Sequence, residues 1–258
     1  MKKIFFCTNT KMSMSHSETL SYLAELENLA GDLIDDGQIE LSVMPSFTAL
    51  HEARAHAGRI LLGAQNVCAE SGIEHTGEIP ARMLKELGTD IVLVGHSERR
   101  RMYGDTNQQL RKKIRCVLDE DMKVMLSISE TAPDKERGIS PEVLRIQLRE
   151  CLSGLDEGEI RGRLEVLYEP AWAIGASGKS APPDYAGRMH HVIRGCLKEL
   201  FGAEQGAEIP ILYGGSVNPE NACGFIGQKE IDGLGIGRSA WNAQVFNHMI
   251  RNVLTAAL

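Results

Sequence analysis

Residues 164–181 of the chain read Leu164-Glu165-Val166-Leu167-Tyr168-Glu169-Pro170-Ala171-Trp172-Ala173-Ile174-Gly175-Ala176-Ser177-Gly178-Lys179-Ser180-Ala181. The first five residues form an apolar run of strand length, and Pro170 stops that strand because its ring fixes φ and removes a backbone donor. Glu169 therefore ends a buried strand, ahead of a segment in which Gly175 and Gly178 allow the backbone to fold over an anion. This order is typical of a catalytic carboxylate followed by a hinged lid, although a plain surface loop has a similar composition.

Eight apolar runs of strand length occur along the chain, separated by helical patterns. The runs cover residues 4–7, 39–44, 60–63, 91–94, 124–128, 164–168, 209–213 and 231–236. Their mostly continuous hydrophobicity predicts strands buried on both faces, as in a parallel sheet. The alternation predicts the α/β class and a single-domain (β/α)8 barrel spanning residues 1–258. An open doubly wound sheet is the alternative, but the Gly-x-Gly-x-x-Gly turn expected after its first strand is missing.

Capping signals mark where several helices begin. Ser15 opens a capping box ahead of leucines at helical spacing, and Asp105 or Thr106 precedes another helical pattern. Ser140 is predicted to be an N-cap, with Pro141 at the first helical position.

Composition and charge exclude several classes of protein. The formal net charge is −7 and no tract is rich in Lys or Arg, which argues against nucleic acid or an anionic membrane as the partner. Six cysteines are scattered without a C-x-x-C pair, so we expect reduced thiols and a cytoplasmic location. No run approaches the roughly 18 apolar residues of a membrane span. The first apolar run turns polar at Thr8, so it predicts a strand rather than a signal peptide.

Polar side chains and glycines follow the predicted strands. They are Asn9 and Lys11 after the first, His96 and Glu98 after the fourth, Glu169 after the sixth, Ser216 after the seventh, and Gly237 and Arg238 after the eighth. Because the C-terminal strand ends of a barrel meet at one mouth, we expect these residues to share a site. A lone Lys or His is more often a surface charge or a core imidazole, but joint placement favours an active site. The glycines after the last two strands are typical of a phosphate site.

Two other clusters have simpler explanations. Three consecutive arginines, Arg99 to Arg101, are more typical of a solvated or ion-paired face than of a phosphate grip. His190 and His191 fall in a helical pattern without a nearby ligand pair, so we expect both at the surface and neither on a metal.

Four motifs together resemble the triosephosphate isomerase family. They are Asn9-Thr10-Lys11-Met12, Gly95-His96-Ser97-Glu98-Arg99-Arg100, Tyr168-Glu169-Pro170-Ala171-Trp172-Ala173-Ile174-Gly175 and Tyr213-Gly214-Gly215-Ser216-Val217. Shorter matches run in order along nearly the whole chain. The resemblance implies a TIM barrel that interconverts D-glyceraldehyde 3-phosphate and dihydroxyacetone phosphate through an enediolate, in glycolysis and gluconeogenesis. It calls for no metal and no organic cofactor.

The same resemblance implies roles for individual residues. Glu169 resembles the family's base, His96 its electrophile and Lys11 its substrate-binding cation; the division of labour between a glutamate and a neutral histidine is the established mechanism of that family. Asn9 resembles a further substrate contact, Glu98 a supporting carboxylate, and Gly175, Ser216 and Gly237 match phosphate-holding positions. Residues 65–78, from Gln65 to Glu78, resemble a loop that plugs into a second subunit, so a homodimer is implied.

Three departures from the family pattern bear on the substrate. Thr10 stands where the family usually has Trp, the lid is one residue longer, and Gly237-Arg238 replaces paired glycines. A branch of the family that acts on four-carbon ketose phosphates has a similar lid and a similar Gly-Arg-Ser-Ala-Trp ending. An isomerase or epimerase of erythrulose phosphate is therefore the alternative to a triose phosphate isomerase. The Arg238 guanidinium has two possible arrangements: it points into the mouth and binds the phosphate, or it turns outward and pairs with a carboxylate on the rim. We expect the outward arrangement, because a buried second cation would have to lose its hydration.

A non-catalytic phosphate-binding barrel is a remote third reading, since fold alone does not give function. The presence of both Glu169 and His96 argues against it.

Overall fold

The computed structural model describes residues 2–174 and 180–257. Within them, eight parallel strands close into one barrel, each pairing with its neighbours in the chain and β1 closing against β8. The strands are β1 (Ile4–Asn9), β2 (Ile39–Met44), β3 (Leu61–Ala64), β4 (Ile91–Val94), β5 (Lys123–Ile128), β6 (Leu164–Tyr168), β7 (Ile211–Gly215) and β8 (Gly233–Ile236). The predicted single-domain (β/α)8 barrel is confirmed, and the open doubly wound sheet is excluded because this sheet has no edge.

Helices cover the outside of the barrel between successive strands. In the described part of the chain they are α1 (His16–Asp35), α2 (Leu50–Ala57), α3 (Ala81–Glu86), α4 (Ser97–Tyr103), α5 (Asn107–Asp119), α6 (Ala132–Glu136), α7 (Ser140–Cys151), α8 (Glu157–Ile160), α9 (Pro183–Phe201), α10 (Ala203–Glu208), α11 (Ala222–Ile226) and α12 (Ala243–Ala256). Short 3₁₀ turns at Phe47–Ala49, Ala171–Ala173 and Arg238–Ala240 lie on the strand-to-helix side. None of the described helices is long and apolar enough to cross a membrane.

The largest boundary errors are two residues, at the ends of the first and seventh strands and at the starts of the seventh and eighth. The strand predicted to begin at residue 209 begins at Ile211, because Pro210 has no N–H to give to the ladder. The strand predicted to begin at residue 231 begins at Gly233, although Ile231 is buried. A prediction from hydrophobicity alone therefore starts these two strands two residues too early, because buried residues precede them.

Two of the predicted caps are confirmed and one is wrong by a residue. Ser15 and Thr106 each form a capping box. Ser140 is instead the first residue of α7, and Ile139 holds the cap position. The Ser140 hydroxyl is hydrogen-bonded to the Tyr185 hydroxyl at 3.1 Å and does not cap the helix.

Two layers of apolar side chains position the mouth of the barrel. The larger lies between the strands and the helices, and the smaller fills the barrel interior. The interior cluster comprises Cys7, Met44, Ile91, Leu93, Met125, Leu167 and Leu212. Leu167 reaches the centre because Gly235 opposite it has no side chain: a Cβ there would lie 2.6 Å from the Leu167 Cδ1. Apolar side chains therefore fill the interior of the barrel, and the predicted site residues lie beyond them, at the C-terminal ends of the strands.

Candidate active site

The C-terminal strand ends bring most of the predicted site residues to one cavity. Asn9 ends β1, His96 and Glu169 follow β4 and β6, and Gly237 follows β8. These residues and Lys11 line a cavity of about 60 Å³. Its apolar lining comprises Cys7, Met44, Leu93, Met125, Leu167, Ile174 and Ile236. Charged groups above an apolar plug are shielded from water, which strengthens their interactions.

Glu169 is fixed through both its backbone and its side chain. Its N–H donates to the Ile128 carbonyl at 2.9 Å, and its Oε2 accepts a hydrogen bond from the Ser127 hydroxyl at 2.7 Å. Its Oε1 lies 3.7 Å from the His96 Nε2, and the carboxylate side chain is only 12% exposed. A separation of 3.7 Å is too long for a hydrogen bond, so this oxygen faces the cavity without a direct bond to the imidazole.

His96 is held in one tautomer by the start of α4. The backbone N–H of Glu98 donates to the His96 Nδ1 at 3.2 Å, which makes the imidazole the cap of its own helix. A nitrogen that accepts a hydrogen bond carries no proton, so the ring proton of the neutral imidazole lies on Nε2. That nitrogen faces Glu169, and the ring can therefore donate into the cavity.

Lys11 is held from three directions. Its backbone is left-handed, with φ of 52°, and its N–H donates to the Asn9 Oδ1 at 2.8 Å. The Gln65 side chain donates to its carbonyl at 2.9 Å, and its ammonium donates to the Glu98 Oε1 at 2.7 Å. Burial alone would raise the pKa of Glu98, but the hydrogen bond and charge of Lys11 outweigh burial and lower the pKa of that carboxyl. Glu98 is therefore ionised near neutral pH.

The predicted phosphate end is partly described. Ser216 donates to the Ala173 carbonyl from its hydroxyl at 2.9 Å and from its N–H at 3.2 Å, which joins the end of β7 to the turn after Pro170. Gly237 lines the cavity, whereas Gly175 and the predicted lid tip lie outside the described residues. Arg238 is exposed, as expected, but the carboxylate partner predicted for it on the rim is not found among residues 2–174 and 180–257.

Two buried polar residues of the site were missed from the sequence. Ser127, near the end of β5, holds the Glu169 carboxylate. Glu130 is fully buried, and its Oε1 accepts from the Tyr168 and Tyr185 hydroxyls and from the Trp172 indole N–H at 2.9 to 3.0 Å. Both occur in Ser127-Ile128-Ser129-Glu130, which runs out of the fifth strand. Glu130 follows the end of that strand, so the strand-end rule applied to the fifth strand predicts it, whereas Ser127 lies inside the strand and carries no such signal.

The arginine triplet is only partly the solvated or ion-paired face that was predicted. Arg99 forms an ion pair with Asp105, with 2.9 Å between Nε and Oδ2. Arg100 instead points inward, where it donates to the Gly95 carbonyl at 2.9 Å and the Ser127 carbonyl at 3.2 Å. Burial is the main cause that lowers the pKa of this guanidinium. Arg100 thus ties together the ends of β4 and β5, on which His96 and Glu169 depend.

The prediction that both helix histidines lie at the surface is wrong for His190. His191 is exposed, but His190 is fully buried against Tyr168 and Tyr213, and its Nδ1 lies 3.2 Å from the Glu230 carbonyl. Burial lowers the pKa of His190 to about 3, so the ring is a neutral part of the core. No group of three His, Cys, Asp or Glu in the described residues is arranged to hold a metal.

A carboxylate, an imidazole and an ammonium beside one cavity, at the C-terminal mouth of a (β/α)8 barrel, are the groups that acid–base enzymes on this fold use. The class defined by fold and site is therefore a barrel enzyme for a small substrate.

Comparison with known proteins identifies the family. The triosephosphate isomerase family model matches residues 4–253. A triosephosphate isomerase from Caldanaerobacter subterraneus subsp. tengcongensis is 37% identical over 252 residues, which is 97% of this chain and 99% of that protein. A Rhizobium etli protein named L-erythrulose-1-phosphate isomerase is 36% identical over 96% of this chain and 92% of its own length. The chain belongs to the triosephosphate isomerase family, and it is an isomerase.

Proposed function

We propose that this isomerase interconverts D-glyceraldehyde 3-phosphate and dihydroxyacetone phosphate. The observation that carries the proposal is the placement of the Glu169 Oε1 3.7 Å from the His96 Nε2 in the cavity that Lys11 also lines. A substrate bound between these groups would have the base beside the carbon that loses its proton and the hydrogen-bond donor beside its carbonyl oxygen. That arrangement suits proton transfer next to a carbonyl.

The reaction moves one proton between two adjacent carbons. The Glu169 Oε1 removes the proton from the carbon beside the carbonyl, while the N–H at the His96 Nε2 donates to the carbonyl oxygen. The Lys11 ammonium offsets the negative charge that develops on the enediolate oxygens. The hydroxyl proton on the neighbouring oxygen passes to the former carbonyl oxygen through the His96 Nε2, which gives up one proton and takes one back. Glu169 then returns the carbon-bound proton to the neighbouring carbon, so the carbonyl has moved by one position and the enzyme is unchanged.

The remaining predicted residues would hold the substrate or support those that do. Asn9 keeps Lys11 in its left-handed conformation, and Glu98 holds the ammonium. Gly237 offers a backbone N–H at the phosphate end, a contact that needs no side chain. We assign Ser216 and Gly175 to the same end on the family pattern, and Arg238 to its rim.

A four-carbon substrate is the second candidate. The observation that favours it is the Rhizobium etli relative, which is 36% identical and is named for L-erythrulose 1-phosphate, against 37% for the triosephosphate isomerase from Caldanaerobacter. Both reactions need the same base, acid and cation, so these residues do not discriminate between them.

The two candidates are separated by kcat/KM for glyceraldehyde 3-phosphate and for L-erythrulose 1-phosphate, measured on the same preparation. We expect the triose phosphate to be preferred. A higher kcat/KM for L-erythrulose 1-phosphate would assign the chain to the four-carbon reaction. Turnover of neither substrate would overturn both proposals.

We further propose a homodimer formed through residues 65–78. Gln65 at the start of this segment donates to the Lys11 carbonyl, and Ile73 within it is fully exposed, as is the Met12 side chain beside Lys11. Covering exposed apolar groups of this kind is favourable. A segment that supports Lys11 from one side and docks a second subunit on the other would couple assembly to activity.

Ile73→Asp tests the dimer, with Ile146→Asp on the exposed face of α7 as the matched control. In sedimentation at micromolar concentration, we expect the wild type and Ile146→Asp to be dimers and Ile73→Asp to be a monomer of lower kcat. A wild-type monomer with full activity would contradict the proposal.

A further inference from the structure

The hydroxyl of Ser127 donates a hydrogen bond to the Glu169 carboxylate. Its Oγ lies 2.7 Å from the Oε2, within the range of a strong hydrogen bond between a hydroxyl and an ionised carboxylate. Ser127 is completely buried, so water does not compete for this bond. The contact leaves the other oxygen of Glu169, Oε1, facing His96.

We propose that Ser127 is a positioning residue that sets which oxygen of Glu169 acts as the base. With Oε2 bound to the hydroxyl, the carboxylate cannot rotate about its last bond without losing this contact. Oε1 is then held toward the cavity, where the substrate carbon must lie. This inference rests on the proposed function and adds to it the group that orients the base.

The backbone around Ser127 is itself rigid. In the β5–β6 ladder Ser127 is paired with Leu167, two residues before Glu169, and the Glu169 N–H bonds to Ile128. The Ser127 carbonyl accepts a hydrogen bond from the partly buried guanidinium of Arg100. The hydroxyl therefore lies on β5, and the carboxylate belongs to the first residue after β6, the strand to which β5 is hydrogen-bonded.

Strand β7 packs against the other side of the Glu169 side chain. A Cβ at Gly214 would lie 2.8 Å from the Glu169 Cγ, so the carboxylate stem already fills the space that this glycine leaves. The stem is thus packed on one side and the carboxylate is bonded on the other.

Ser127 keeps its own proton throughout the reaction. The proton from the substrate carbon bonds to Oε1 and leaves from Oε1, while the hydroxyl proton stays on the serine oxygen and points at Oε2. A donor to a carboxylate favours its ionised form, so losing this donor shifts the protonation of the base toward higher pH. A merely structural serine would produce no such shift.

The test compares Ser127→Ala with Ser127→Thr, which keeps the hydroxyl, and with Ser42→Ala, which removes another buried serine hydroxyl from the barrel. For Ser127→Ala we expect kcat to fall tenfold or more, KM to change less than twofold, and the acid limb of kcat/KM to move to higher pH. Ser127→Thr should restore the acid limb, and Ser42→Ala should keep the wild-type pH profile. A wild-type kcat and acid limb in a folded Ser127→Ala protein would overturn the proposal.

A second measurement keeps the inference testable if the proposed substrates are not turned over. The carbon-13 resonance of the Glu169 carboxyl, assigned by its loss in Glu169→Gln, can be titrated in the wild type and in Ser127→Ala. We expect a higher titration midpoint in Ser127→Ala than in the wild type. Equal midpoints would show that Ser127 does not act on the base, whatever the substrate is.

Discussion

Single side chains at the barrel mouth are fixed by short contacts to backbone or to other site residues. The Glu98 N–H sets the tautomer of His96, and the Glu98 carboxylate holds the Lys11 ammonium. One residue therefore serves two of the three reactive groups, through its backbone and through its side chain. Preorganisation of this kind lets the groups act without rearranging when the substrate arrives.

Arg238 is a single residue that bears on the choice between a triose phosphate and a tetrulose phosphate as the substrate. Its side chain is exposed, so an ion pair or a phosphate contact there would be screened by water and would contribute roughly 0–1 kcal/mol. We expect Arg238→Gly to raise KM for either the triose or the tetrulose phosphate by less than about fivefold, the change that ~1 kcal/mol produces. A tenfold or larger rise in KM for one substrate would make Arg238 part of its binding site.

Elements were predicted more securely than individual contacts. The alternation of apolar runs and helical patterns was enough for the barrel, because continuous hydrophobicity reports burial on both faces of a parallel strand. The strand-end rule also brought Asn9, Lys11, His96 and Glu169 to the cavity that they line. Strand starts were placed less well, since Ile209 and Ile231 are buried without being part of the ladder.

Contacts that depend on the orientation of one side chain were not predictable from the sequence. Neighbouring arginines look alike in a sequence, yet Arg99 faces a carboxylate and Arg100 faces two buried carbonyls. Likewise His190 and His191 differ only in which side of α9 they occupy, and His190 lies on the buried side. A period of 3.6 residues separates such neighbours by about 100° around the helix, and only the packing shows which one is inside.

The end of β7 is predicted to be sensitive to a single methyl group. In Gly214→Ala the new Cβ would lie 2.8 Å from the Glu169 Cγ and 2.9 Å from the Leu167 Cδ1, so the base must shift. A displacement of about 1 Å can cost on the order of a hundredfold in rate, so we expect kcat to fall by at least tenfold.

Gly224→Ala in α11 is the matched control for this substitution. Its Cβ would meet only the Pro183 Cγ at 3.6 Å, an ordinary contact, and we expect wild-type kcat. Equal activity of Gly214→Ala and Gly224→Ala would show that the base is not confined by β7.

At the scale of the whole molecule, one end of the barrel holds a buried acid that the reaction does not use. Burial, assisted by the charge of Glu40 and opposed by Lys123, raises the pKa of Glu165 to about 8. This acid stands near the start of β6, and its Oε1 is 3.6 Å from the Lys123 Nζ. Burial therefore favours the protonated form of Glu165 in the folded protein.

The raised pKa makes stability depend on pH. In the unfolded chain Glu165 ionises near its ordinary pKa of about 4.3, so between that pH and about 8 the folded state binds more protons. The stability that Glu165 contributes is complete below the unfolded pKa and is lost as pH rises to about 8. We expect the Tm of Glu165→Gln to gain on the wild type from pH 5 to pH 8, whereas the exposed control Glu204→Gln stays parallel to the wild type. A difference in Tm between Glu165→Gln and the wild type that stays constant from pH 5 to pH 8 would contradict this interpretation.

The central claim is that Glu169 is the base of a triose phosphate isomerisation, and Glu169→Asp tests it most directly. Shortening the side chain by one methylene moves the carboxylate by about 1 Å, which can cost on the order of a hundredfold in rate. Conversion of glyceraldehyde 3-phosphate in D2O, followed by proton NMR, reports kcat and deuterium uptake, and a thermal melt reports folding. We predict rapid turnover with deuterium uptake by the wild type, and a loss of about a hundredfold in kcat for a folded Glu169→Asp protein. Near-wild-type turnover by Glu169→Asp, or no turnover by the wild type, would contradict the claim.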